Sequence, residues 1–233
     1  MVYKKRLDGR GWEDTRPIEA KAGVIKNADG SAYFKIGKTT AYAAVYGPRE
    51  LYPRFLQNPK TGILRCFYNM MPFSGMGDRV RPGANRRSKE ISMVMEKALG
   101  LVVDLHDYPN STVDVFVELS QTDAGSRCAA ICAAAIALAD AGIDMKDMVS
   151  AVAVGKIDDK IVADLDYHEE AYEEGPVADI PVAMLYNTKE ITLLQMDGEV
   201  SKEELLNALE LAKRVTEKIA QIQIKALKER YAP

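Results

Sequence analysis

The chain has 233 residues, 47% of them hydrophobic and 28% charged, enough to bury a sizeable core and too apolar for a disordered protein. A net charge of −3 argues against a protein that wraps duplex DNA with a broad basic surface, but leaves room for a local basic lining in a cleft or pore. No early stretch has the order of a signal peptide, and no apolar run nears the roughly 20 residues of a membrane helix, so the chain reads as cytoplasmic with no membrane partner.

Taken in chain order, "GSAYFKIGKTTAYAAVYG" (30–47) alternates around Gly37-Lys38 and predicts two strands joined by a tight turn. "SKEISMVMEKALGLVVDL" (88–105) repeats apolar residues at Ile91, Val94, Met95, Ala98 and Val102, the spacing of an amphipathic helix. "TVDVFVELS" (112–120) sets Val113, Val115, Val117 and Leu119 on one face of a strand. Residues 126–141 predict a helix apolar nearly all round, hence one buried between layers. "AVAVGKIDDKIVADLDY" (151–167) reads as a hairpin about Asp158-Asp159, and 178–198 as another strand pair turning near Asn187-Thr188. The last helix opens on "SKEE", a capping box of Ser201 and Glu204, and carries an apolar side of Leu205, Leu209, Ala212, Val215, Ile219 and Ile222 to about residue 230. Strand pairs with covering helices predict one α+β layered domain over 1–233.

Three cysteines, with no CxxC and both histidines distant, give neither a disulfide framework nor a zinc site, so Cys128 and Cys132 read as small core residues.

Three polar clusters stand out. "QTDAGSRCAA" (121–130) places Gly125, Ser126 and Arg127 where a helix begins. Unpaired backbone N–H groups and the helix dipole favour an anion there, and an arginine fork suits phosphate oxygens. Ordinary capping by Ser126, with Arg127 paired to Asp123, is the competing reading. "GDRVRPGANRRSKE" (77–90) carries Arg79, Arg81, Arg86 and Arg87 before a helix, either a solvated charge run or a grip on successive phosphates. "DLDYHEEAYEEGPVADIP" (164–181) gathers carboxylates and places Asp179 at the entry to an apolar strand. Some of these acids belong to a solvated loop. One that is partly buried suits Mg²⁺ binding or general acid chemistry.

Together with "LDGRGWEDTRPI" (7–18), "YNMMPFS" (68–74) and "ADIPVAML" (178–185), these segments resemble, in order and over nearly the whole chain, the RNase PH family of phosphate-dependent 3′→5′ exoribonucleases, with wording closest to its archaeal exosome branch. The resemblance implies an RNase PH-type fold of layered mixed sheets and helices. It implies inorganic phosphate at Gly125, Ser126 and Arg127, and an RNA 3′ end held by Arg86 and Arg87. Asp179 matches one catalytic acid. The family's second acid lies six residues earlier, where this chain has Glu173, while the matching "DLDYHEE" pattern ends at Glu170 as though about three residues were inserted. Either glutamate could serve, with Glu170 the closer match to the pattern. Asp179 and Glu170 are the implied Mg²⁺ ligands. "PRFLQNPKTGILR" (53–65) corresponds to a loop at the entrance of a channel, with Lys60 and Arg65 as implied RNA contacts. Partners implied are single-stranded RNA, a related inactive subunit alternating in a hexameric ring, and RNA-binding cap proteins. A homohexameric tRNA-trimming enzyme of bacterial type and a non-catalytic RNA-binding ring subunit are the alternatives.

Overall fold

A computed structural model describes residues 3–76 and 78–232. Five strands form the first sheet: β1 (Ile18–Ala22), β2 (Gly30–Ile36), β3 (Thr39–Glu50), β4 (Ile63–Met70) and β5 (Ser111–Gln121). Their order is β1-β2-β3-β5-β4, antiparallel except for the parallel β4/β5 pair. The second sheet, ordered β7-β6-β8-β9, consists of β6 (Val149–Ile157), β7 (Lys160–Ala163), β8 (Val177–Leu185) and β9 (Ile191–Leu194). Helices α1 (Arg86–Gly100), α2 (Ser126–Asp140), the single turn α3 (Tyr167–Glu170) and α4 (Lys202–Arg230) complete the α+β architecture.

The layering follows from the patterns. Helix α2 is buried on every face from Cys128 to Leu138 because it lies between the sheets, packing on β2, β3 and β5 on one side and on β6 and β8 on the other. Cys128 and Cys132 belong to that core. On β5, Val113, Val115, Val117 and Leu119 point into it. The opposite face of β5 pairs residue by residue with β4: Arg65 with Asp114, Phe67 stacked on Phe116 at 4.7 Å, and Asn69 donating to Glu118 at 2.7 Å.

Helix α1 begins two residues before its expected start. Asn85 caps it, exchanging hydrogen bonds with Ser88, and this draws Arg86 and Arg87 out of the loop into the first helical turn. Helix α4 opens on the Ser201/Glu204 capping box and covers β6, β7 and β1. Its buried stripe includes two polar residues, Thr216, which donates back to the Ala212 carbonyl, and Gln223, whose amide donates to the Cys132 and Val149 carbonyls and ties α4 to α2 and β6. The described residues include no helix long and apolar enough to cross a membrane.

The N-terminal segment is locked to the second sheet by buried charge. Arg6 holds Glu169 at two points, 2.8 and 2.6 Å, and also donates to the Ala163 and Asp164 carbonyls. Arg16 grips Asp164 through its backbone N–H, Nε and Nη2, and reaches the Asp123 carbonyl. Arg16 therefore braces the turn that follows β5 against the turn that follows β7.

Candidate active site

Strand β5 ends at Gln121, and the chain must reverse within four residues to start α2. It does so with two successive left-handed residues, Ala124 (φ 58°) and Gly125 (φ 61°). Glycine takes this conformation freely, while alanine there costs about 1 kcal/mol, strain of the kind that backbone carries at functional sites. The reversal aims the first backbone N–H groups of α2 into a cleft of about 350 Å³. The α2 terminus forms one wall together with Arg127 and with Arg87 from α1. Glu170, Asp179 and Asp197 form the other.

Ser126 is not a helix cap: the N-cap residue is Gly125 and no side chain caps the helix. Nor does Arg127 pair with Asp123. That carboxylate faces Arg16 at 3.6 Å and Lys38 at 3.9 Å and accepts from the Tyr167 N–H, leaving Arg127 turned toward Gln195 and Glu90. Both halves of the capping alternative thus fail: the Gly125 N–H instead meets the Glu170 carboxyl, and the Ser126 hydroxyl lies against that of Tyr68.

Across the cleft, Asp179 sits on β8. Its backbone exchanges hydrogen bonds of 2.8 and 2.9 Å with Asp197, an isolated bridge that carries Asp197 into the site. The bridge needs Gly198, where a Cβ would stand 2.4 Å from the Val177 carbonyl oxygen and 2.7 Å from the Ala178 Cα. Burial pushes the Asp179 carboxyl up to about 6, and Asp197 adds to the rise. The Arg127 and Arg87 guanidiniums oppose it and lose. One oxygen, Oδ1, is buried and has no hydrogen-bond partner among the described residues. Glu170, at the end of α3, lines the cleft and is raised to about 7 by desolvation and then by the negative charge of Asp179. The Gly125 N–H and the two arginines partly offset this.

The other expected residues divide. Glu173, one of the two candidate second acids, lies three residues beyond α3, exposed and outside the cleft. Glu170, the last residue of α3, lines the cleft instead. Arg87 lines the cleft, whereas its neighbour Arg86 is exposed and does not. Lys60 is exposed at a turn between Asn58 and Thr61, away from the cleft. Arg65 departs from expectation. It lies in strand β4 rather than in a loop, and its fork is engaged at 2.6 and 2.7 Å by Asp114.

Asp197 and Gln195 were not foreseen. They follow β9 in a polar segment with no motif, and reach the site only through the pairing with β8. Behind the cleft, the buried Tyr68 hydroxyl lies near Ser126 and Arg87. Among the described residues no group of three or more acid, histidine or cysteine side chains is gathered closely enough to hold a metal ion by itself. Glu170 and Asp179 fit Mg²⁺, which is held by one or two carboxylates and completes its shell with water and substrate oxygens.

Two family models match the chain, 3′ exoribonuclease family domain 1 over residues 14–144 and domain 2 over 147–215. The cationic wall falls wholly in the first stretch, the acidic wall wholly in the second. The chain is 52% identical over 227 residues to exosome complex component Rrp41 of Thermococcus kodakarensis, covering 97% of this chain and 90% of that one. It is 49% identical over 226 residues to the component of the same name from Methanopyrus kandleri, covering 97% and 93%. Its fold matches the crystal structure of rice (Oryza sativa) Rrp46 with a TM-score of 0.83 at 24% identity, over 95% of this chain and all of that one.

Proposed function

The chain belongs to the RNase PH-type 3′ exoribonuclease family, and from that premise we propose that it is the phosphorolytic subunit of an archaeal-type exosome, shortening single-stranded RNA from its 3′ end. One observation carries the reading: a single cleft sets two arginines and a helix N-terminus against two carboxyls whose proton affinity is raised.

In this reading, inorganic phosphate enters the turn at Gly125 and Ser126 and is neutralised by Arg127. Arg87 holds the last phosphodiester of the RNA beside it. A phosphate oxygen attacks the terminal phosphorus, the bond to the preceding 3′-oxygen breaks, and a nucleoside diphosphate leaves. Asp179, protonated up to about pH 6, supplies the proton that the departing 3′-oxygen needs. Two anions that repel each other in water are thus brought together by fixed cations, so catalysis consists chiefly of positioning and charge stabilisation. Where Asp179 is ionised instead, it and Glu170 are the residues that would hold Mg²⁺, which when bound would supply further neutralisation of the phosphoryl oxygens. The reaction is reversible in principle, so nucleoside diphosphates would extend RNA when phosphate is scarce.

The ring setting rests on the relatives, which are named as exosome components. The proposed partners are a related inactive subunit and RNA-binding cap proteins.

The test is a 5′-labelled RNA with a 3′ tail, incubated with Mg²⁺ and the assembled complex, with and without inorganic phosphate. Phosphate-dependent release of nucleoside diphosphates supports the reading. Monophosphates released without phosphate would make the enzyme a hydrolase, and RNA binding without turnover would favour a scaffold.

A further inference from the structure

We propose that Gln195 is a positioning residue for Arg127, setting how well the site takes up inorganic phosphate; this rests on the phosphate-binding reading above. The Gln195 side-chain oxygen accepts from Arg127 Nη1, and its Nε2 donates to Glu90 Oε1 at 3.5 Å. Glu90 also lies 3.9 Å from the same Nη1. The chemistry of the three groups fixes the order. A guanidinium can only donate and a carboxylate only accept, so the amide between them has one orientation that satisfies both. Gln195 is itself anchored, its backbone N–H donating at 3.1 Å to the carbonyl of Pro181, two residues from Asp179.

The consequence lies in which part of the guanidinium is taken. Nη1 is engaged by Gln195, while the Nε/Nη2 edge carries no hydrogen bond to another described residue and Arg127 lines the cleft. That edge is a two-donor fork matched to two phosphate oxygens. Helix α1 takes part through two residues: Arg87 lines the cleft, and Glu90, one turn on, accepts from the amide that orients Arg127. Gln195 is only partly buried and lies outside the core, so its replacement leaves the fold intact.

The experiment is steady-state phosphorolysis by the full chain in its active assembly, varying phosphate at saturating RNA and RNA at saturating phosphate. Gln195→Leu is expected to raise the KM for phosphate about tenfold, the loss of one hydrogen bond to a charged group, with kcat and the KM for RNA within about twofold. Gln195→Glu keeps an acceptor but adds a charge that competes with phosphate for Arg127, so its phosphate KM should rise and the increase should shrink with added salt. A phosphate KM unchanged in Gln195→Leu, with wild type phosphate-dependent, overturns the inference alone. A loss of kcat with neither KM shifted also overturns it. Wild-type turnover that ignores phosphate overturns the reading of the site and the inference together.

Discussion

Arg6 and Glu169 form a two-point ion pair with neither side chain exposed, at 2.8 and 2.6 Å, and Glu169 is the residue immediately before Glu170. The Tyr3 hydroxyl and the Asp166 N–H also donate to the same carboxylate. Removing Arg6 leaves a buried carboxylate with two neutral donors and only the more distant Arg10, at 3.7 Å, to balance its charge. Arg6→Met should therefore cost about 3–5 kcal/mol of stability. The double variant Arg6→Met/Glu169→Leu should recover part of that loss. Chemical denaturation of wild type and the two variants measures it.

Asp179→Asn keeps the shape of the cleft but has no proton to give. Its kcat should fall by about 10²–10⁴ with little change in the KM for RNA, as read in single-turnover assays. Glu170→Gln should also lower kcat, because Glu170 faces Asp179 in the cleft. Glu173→Gln should match wild type, since that side chain lies outside it.

The two arginines should separate in their effects. Arg127→Lys keeps the charge but loses the fork, and should raise the KM for phosphate by about tenfold or more while sparing that for RNA. Arg87→Ala should raise the KM for RNA, and Arg86→Ala should do so less, because Arg86 stands outside the cleft. Varying each substrate at saturation of the other distinguishes them.

Stability should depend on pH through the acidic wall. The Asp179 carboxyl has an ordinary value of 3.8 and is raised to about 6; that of Glu170 rises from 4.5 to about 7. Between those limits the folded chain keeps protons that the unfolded chain has released, so stability falls as pH rises from about 4 to 7 and then levels off. In metal-free and phosphate-free buffer, Asp179→Asn should be more stable than wild type above pH 6. The difference should shrink toward pH 4 and vanish below about pH 3, where the aspartate is protonated in both states. Thermal melts from about pH 3 to 8 measure the difference.

Much of this was legible because it is local. The alternation of β5, the all-round apolar surface of α2 and the Ser201/Glu204 box each lie in one short stretch, and each element forms as its pattern requires. The Gly125–Arg127 cluster was legible for the same reason, as a strand-to-helix junction. Strand β1 is five residues at a sheet edge with no fully buried position, too short for a pattern to stand out. Arg65 was misplaced because its partner Asp114 belongs to a parallel strand 49 residues on, a pairing that no local pattern encodes. The choice between Glu170 and Glu173 depended on how an insertion is absorbed. Asp197 enters only through its bridge to Asp179, and no local signal marks it.

The cleft's opposite charges are carried on separate stretches of chain, the cations before residue 144 and the carboxylates after 147. The cleft is therefore complete only when the two stretches fold against each other, and the division is not clean: Gln195, from the later stretch, reaches back to accept a hydrogen bond from Arg127 of the earlier one, so a change in either stretch touches the cations as well as the acids.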